Sequence, residues 1–123
     1  MSAGQRVRAL LALLILCGIS SLGRAAESDA AAEAVSAAQA EAKRRGLPLL
    51  VDFRAPWCYS CYFMSRNVHT GAEWRALLDR TVLLELDADS PEGAAQMKAW
   101  NVKALPSYLV FDAAGQELGR VLG

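Results

Sequence analysis

Two cysteines, Cys58 and Cys61, stand three positions apart in the segment Pro56-Trp57-Cys58-Tyr59-Ser60-Cys61. The segment falls where a buried strand should give way to a helix. At a helix N-terminus the unpaired backbone N–H groups and the peptide dipole favour negative charge. A thiolate on Cys58 is stabilised there, so its pKa should fall. Cys61 follows one helical turn later and faces the same side. It can attack a mixed disulfide held on Cys58 and release the bound thiol. The spacing therefore supplies both a nucleophile and a resolving thiol. Two other uses of the pair are weaker. A purely structural disulfide would close a loop too small to remove much chain entropy. A zinc site takes four protein ligands, or three plus water. His69 is the one histidine and there is no second cysteine pair. Neither a metal nor an organic cofactor is expected.

Asp52 lies six residues before Cys58 and is the one polar member of the apolar run Leu49 to Phe53. A carboxylate in such a strand is costly unless paired, so its pKa should rise. A raised carboxylate suits proton transfer near neutral pH. The alternative is an aspartate facing solvent at a strand edge.

The surrounding pattern indicates what must hold these groups. Ala26 to Ala42 is alanine-rich and reads as a helix, with Ala31, Val35, Ala38 and Ala42 on one face. Gly46 and Pro48 stop it. Leu49 to Phe53, bounded by Pro48 and Pro56, suits a strand buried on both faces. A helix should run from about Cys58 to Arg66. Thr70-Gly71-Ala72-Glu73 has the form of a capping box opening a short helix. Thr81 to Leu86 reads as a second strand. Ser90 and Pro91 supply an N-cap and a first-turn proline for a helix ending near Trp100. Ser107 to Phe111 and Glu117 to Leu122 read as strands joined by a hairpin turn. Strands separated by helices favour parallel pairing, and the final hairpin must be antiparallel. The expectation is an α/β fold, a mixed sheet covered by helices. Trp74, Met97 and Trp100 read as core contacts, and His69 as a surface residue beside the Thr70 cap.

The chain has 123 residues, enough for one domain, with 54% hydrophobic and 21% charged residues and a formal net charge of zero. That balance excludes a disordered or fibrous chain, and no nucleic-acid partner is implied. Residues 1–25 read separately, as a secretory signal peptide. Arg6 and Arg8 precede an apolar run from Ala9 to Ile19, followed by small residues at Gly23 and Ala25. Cleavage after Ala25 would leave a domain of residues 26–123. It would also remove Cys17, so that Cys58 and Cys61 are the only cysteines left. The expected location is the periplasm, where disulfides persist. An uncleaved leader would instead anchor the protein to the membrane.

The run Val51-Asp52-Phe53-Arg54-Ala55-Pro56-Trp57-Cys58-Tyr59-Ser60-Cys61 resembles the active-site segment of thioredoxins. Leu105-Pro106-Ser107 resembles that family's cis-proline loop. The resemblance extends from about Leu47 to Leu122. It is strongest to the C-terminal thioredoxin-like domain of the bacterial transmembrane disulfide reductases, through Thr81 to Leu86 and Asn101-Val102. It implies Cys58 as the attacking and Cys61 as the resolving cysteine, with Asp52 as the buried acid that exchanges protons with them. It implies a cis bond before Pro106, with Leu105, Pro106 and Trp57 beside bound substrate. Three features depart from the family. Tyr62 stands where lysine is common. Glu85 stands near the place of a buried lysine, and an acid there would raise the thiol pKa values. The family's first strand is not evident and its C-terminal helix is missing, which leaves a sheet face open.

Three functions fit these residues. The first is an exported oxidoreductase that reduces disulfides in exported proteins and draws electrons from a membrane disulfide reductase. The second runs the same exchange in reverse, as a disulfide donor. The third is a non-catalytic binding module with an inert disulfide.

Overall fold

The computed structural model describes the backbone of residues 22–123 and the side chains from residue 32 onward. The expected leader, residues 1–25, lies outside the described residues up to position 21. The elements are α1 (Leu22–Arg45), β1 (Leu49–Arg54), α2 (Tyr59–Asn67), α3 (Ala72–Leu78), β2 (Val82–Asp87), α4 (Pro91–Ala99), β3 (Ser107–Phe111) and β4 (Glu117–Leu122). The strand order is β2-β1-β3-β4, parallel between β1 and β2 and antiparallel elsewhere. This is the mixed sheet the pattern implies, with β1 at its centre.

Helix α1 starts before Ala26 and runs past Ala42. Its end is set by Gly46 at φ 64°. The Leu47 N–H bonds the Ala42 carbonyl at 3.0 Å and the Gly46 N–H bonds Lys43 at 3.3 Å. That pair of bonds satisfies carbonyls the helix would leave open, and glycine takes the left-handed conformation without strain. Ser90 caps α4 through a 2.9 Å bond from the Gly93 N–H, with Pro91 in the first turn. The expected capping box does not form. Gly71 is the N-cap of α3 and makes no side-chain bond. The Thr70 hydroxyl donates instead to the Arg66 carbonyl at 3.2 Å, closing the end of α2 rather than opening α3.

One sheet face carries the main core. Leu49, Val51 and Phe53 of β1 join Val82, Leu86, Leu109 and Phe111 beneath Ala42 of α1 and Met97 of α4. Trp100 closes it, edge-on to Phe53 at 6.1 Å and tilted on Phe111 at 4.8 Å. Alternation along β1 then sends Leu50, Asp52 and Arg54 to the opposite face, toward α2 and α3. Strand β4 pairs with β3 and is exposed throughout, with Leu118, Val121 and Leu122 half or more open.

Gly93 packs so tightly that a Cβ there would lie 1.8 Å from the Asp87 carbonyl oxygen. In an open helix a glycine-to-alanine change stabilises by about 1 kcal/mol. Here the overlap should reverse the sign. Gly93→Ala should destabilise by roughly 1–3 kcal/mol, read as a lower urea midpoint.

Candidate functional site

Strand β1 delivers the chain to the start of α2, and Cys58 is that helix's N-cap with extended φ −77° and ψ 103°. Its Sγ accepts a 3.1 Å hydrogen bond from the Cys61 N–H. Cys58 and Cys61 form a disulfide, with Cα atoms 5.2 Å apart, and both are more than nine-tenths buried. When the bond is reduced, the same N–H and the helix dipole face the Cys58 sulfur and favour its thiolate. Leu105 packs against Cys58, Cys61 and Ala55. The Leu105–Pro106 peptide bond is cis, as the resemblance implies. Ser107 bonds back to the Ala104 carbonyl at 2.7 Å and steadies this loop.

Asp52 is 2% exposed, and its Oδ1 has no hydrogen-bond partner. The solvent-facing alternative is thereby ruled out. Burial pushes its pKa up to about 6, with Arg54 opposing the shift and Glu85 adding to it. Glu85 is the register partner of Asp52 on β2. The second acid expected close to Asp52 is therefore present, and its charge adds to the upward shift. Glu85 is half exposed and paired with the Arg54 guanidinium, so its charge is largely compensated. Its contribution to Asp52 is the smallest of the three causes. Arg54, Glu85 and Asp87 from the sheet, with Cys58, Cys61 and Tyr62 from the helix side, line an open cleft beside the disulfide.

Trp57 is 69% exposed, and its Nε1 donates to Asp89 Oδ2 at 2.8 Å. It sits at the rim of the site rather than in the core. Tyr59, Tyr62 and Phe63 are also exposed around the disulfide. His69 is not the plain surface residue expected beside Thr70. It is half-buried, stacked on Trp74 at 3.9 Å and bonded through Nε2 to the Tyr108 hydroxyl at 3.1 Å. Trp74 accordingly packs in this second group and not in the main core. Arg54, Asp89 and Tyr108 were not singled out in the sequence. For Arg54 the signal was parity, two residues after Asp52 on the same strand face. For Tyr108 and Asp89 it was register and loop geometry, which one sequence does not display.

A mixed sheet, a disulfide capping a helix after its central strand and a cis-proline loop packed against that disulfide define a thioredoxin-like thiol–disulfide oxidoreductase. The chain belongs to the thioredoxin-like family, whose model matches residues 30–113. It is similar to the thiol:disulfide interchange protein DsbD of Yersinia enterocolitica, 40% identical over 93 residues. The match takes in 72% of this chain and 16% of the relative. It is likewise similar to DsbD of Cronobacter sakazakii, at 37% identity over 69% of this chain and 16% of the relative. The chain thus spans about a sixth of the length of these relatives. Among solved structures, the oxidised C-terminal domain of Neisseria meningitidis DsbD has a TM-score of 0.61 at 26% identity. That likeness covers 75% of this chain and 83% of the domain. A thioredoxin from Thermus thermophilus has a TM-score of 0.64 at 28% identity, covering 72% of this chain and 71% of that one.

The state of Asp52 makes stability depend on pH. Its folded pKa of about 6 lies above its ordinary value, so the folded protein binds the extra proton between the two. Stability should therefore be full below about pH 4 and fall as pH rises from there through 6, by on the order of 2–3 kcal/mol. Asp52→Asn should remove most of this slope and be the more stable protein at pH 8, as read by urea unfolding at pH 4, 6 and 8.

Proposed function

We propose that this chain is an exported reductase of protein disulfides, with Cys58 as nucleophile, Cys61 as resolving thiol and Asp52 as proton carrier. The observation that carries this reading is the disulfide at the N-cap of α2, with the Cys61 N–H aimed at the Cys58 sulfur. In the reduced protein the Cys58 thiolate attacks one sulfur of a substrate disulfide. A mixed disulfide forms and the first substrate thiolate leaves. Asp52 as carboxylate takes the proton of Cys61. The Cys61 thiolate then attacks the Cys58 sulfur, and the second substrate thiolate departs. The substrate gains two electrons and the Cys58–Cys61 pair loses them. A dithiol partner must then reduce the pair again, and a membrane disulfide reductase fits that role.

Asp52 suits the carrier role because a carboxyl with pKa about 6 can both hold and release a proton near neutral pH. Leu105 and Pro106 suit substrate binding. Among the described residues the Leu105 N–H and carbonyl have no backbone partner, which leaves them for an extended substrate segment. Trp57, the residue before Cys58, is exposed and held by its bond to Asp89, which leaves its ring free to meet a substrate. The names of the relatives support an interchange activity. The location outside the cytoplasm rests on the basic, apolar and small-residue order of residues 1–25. Among the described residues no helix is long and apolar enough to cross a membrane.

Two experiments test this. The Cys58–Cys61 pair is equilibrated in defined thiol buffers and its free thiols counted. A reducing protein should give a potential near thioredoxin's, about −270 mV, whereas a value near about −120 mV would make it a disulfide donor. Cys61→Ala should accumulate a mixed disulfide on Cys58 with a disulfide-bonded substrate, and Cys58→Ser should form none. A pair inert to both thiol buffer and alkylation would remove the catalytic reading. For the location, expression in a Gram-negative host should yield a periplasmic protein whose mass begins at Ala26. A full-length mass in the membrane fraction would indicate an anchor instead.

A further inference from the structure

The sheet face that carries Asp52 also holds a group of rings that the exchange reaction does not use. His69 lies in the turn between α2 and α3. It stacks nearly flat on Trp74, with centroids 3.9 Å apart and planes 14° from parallel. Its Nε2 is 3.1 Å from the Tyr108 hydroxyl. His69 and Trp74 both meet the Tyr108 ring edge-on, at 6.0 and 6.5 Å. Tyr108 in turn is the register partner of Asp52 across β1 and β3. Residues directly opposite in an antiparallel pair have Cβ atoms about 4.5–5.5 Å apart and project from the same face. The Tyr108 ring therefore rises beside the Asp52 carboxyl, on the side away from Glu85.

Asp52 is only 2% exposed. The disulfide cleft does not open onto it, since the cleft is lined by Arg54 and Glu85 but not by Asp52. On the β3 side the covering group is Tyr108, and beyond Tyr108 lies β4 with its register partner Val121 exposed. A tyrosine in that place, if unpinned, could turn toward the exposed Val121 and admit water to the carboxyl. The bond from His69 and the edge of Trp74 oppose that turn. We propose that His69 is a positioning residue for Asp52: stacked on Trp74 and bonded to Tyr108, it holds the tyrosine ring as the wall that keeps water from the carboxyl. Its functional weight rests on the reading of Asp52 as proton carrier.

The groups facing Asp52 and this wall are few. Arg54 comes from β1, Glu85 from β2 and Tyr108 from β3. From α3 the facing group is the uncharged Trp74, while Arg75 is engaged on the Thr70 carbonyl at 3.0 Å. The burial that raises Asp52 also raises Tyr108 to about 12 and lowers His69 below its ordinary value. The three groups thus share one dry environment, and near neutral pH its ring members, His69 and Tyr108, are uncharged.

The test is a direct titration of the Asp52 carboxyl by carbon-13 NMR in the full chain, beside the pH profile of Cys58 and Cys61 alkylation in the reduced protein. His69→Ala and Tyr108→Ala should each lower the Asp52 midpoint from about 6 by about one pH unit, toward the ordinary value of about 3.9. His69→Phe keeps a stacking ring but loses the bond, and Tyr108→Phe keeps the wall but loses its pin. Both should give smaller shifts of the same sign, and they supply the reading if the alanine variants do not fold. Val82→Ala, on the opposite sheet face, controls for general loosening. An unchanged midpoint in the folded His69 and Tyr108 variants would overturn the proposal, as would an equal shift in Val82→Ala. A lowered midpoint with an unchanged alkylation profile would uphold the wall and remove Asp52 from proton transfer, so the two readings fail separately.

Discussion

A carboxyl group without a partner, held dry in the strand that leads to a disulfide, is the constraint around which this structure is arranged. Asp52 occupies the middle of the central strand, where an apolar residue would pack at no electrostatic cost. Keeping it there requires neighbours that exclude water without neutralising it. The main core on the other face supplies the stability that this site subtracts. Leu49, Val51 and Phe53 alternate with Asp52 along the same strand and are fully buried. The strand that bears the liability is thus the strand most firmly held.

The direction of β1 then decides where the sulfurs lie. Its C-terminal end passes through Arg54 and Pro56 to the cap of α2, so the disulfide stands at the end of the strand whose middle holds the acid. The cis-proline loop approaches from β3, the other neighbour of β1, and sets Leu105 against the cluster that holds both cysteines. Each participant therefore comes from β1 or from an element joined directly to a strand beside it. A change in pairing register would displace all of them together.

Much of this was legible in the sequence because it depends on local pattern. The cysteine spacing, the apolar run around Asp52 and the Ser90-Pro91 helix start each state their structure within a few residues. The strands Ser107–Phe111 and Glu117–Leu122 have the bounds that alternation and turn residues suggested. What was not legible depends on which residues meet across the sheet. Glu85 was legible as an acid close to Asp52, but not its pairing with Arg54, which lies 31 residues away on another strand. His69 looked like a surface residue because the ring that receives it, Tyr108, arrives 39 positions later. Thr70 carried a capping-box signature, yet its hydroxyl found the Arg66 carbonyl of the preceding helix first. For His69 and Thr70 a short-range signal lost to a partner supplied by the fold.

The Arg54–Glu85 pair has a consequence for the surroundings in which the site can work. Both side chains are nearly half exposed, so dissolved ions screen them readily. Their influences on Asp52 have opposite signs, whereas the larger influence, burial, has no ionic atmosphere to fade into. Adding salt weakens the pull of the guanidinium and the push of the carboxylate together. The proton affinity of Asp52 should then drift little between dilute and saline media. A centre tuned by dryness, with its nearby charges set against each other, is steadier against changes of ionic strength than one tuned by a single neighbouring charge.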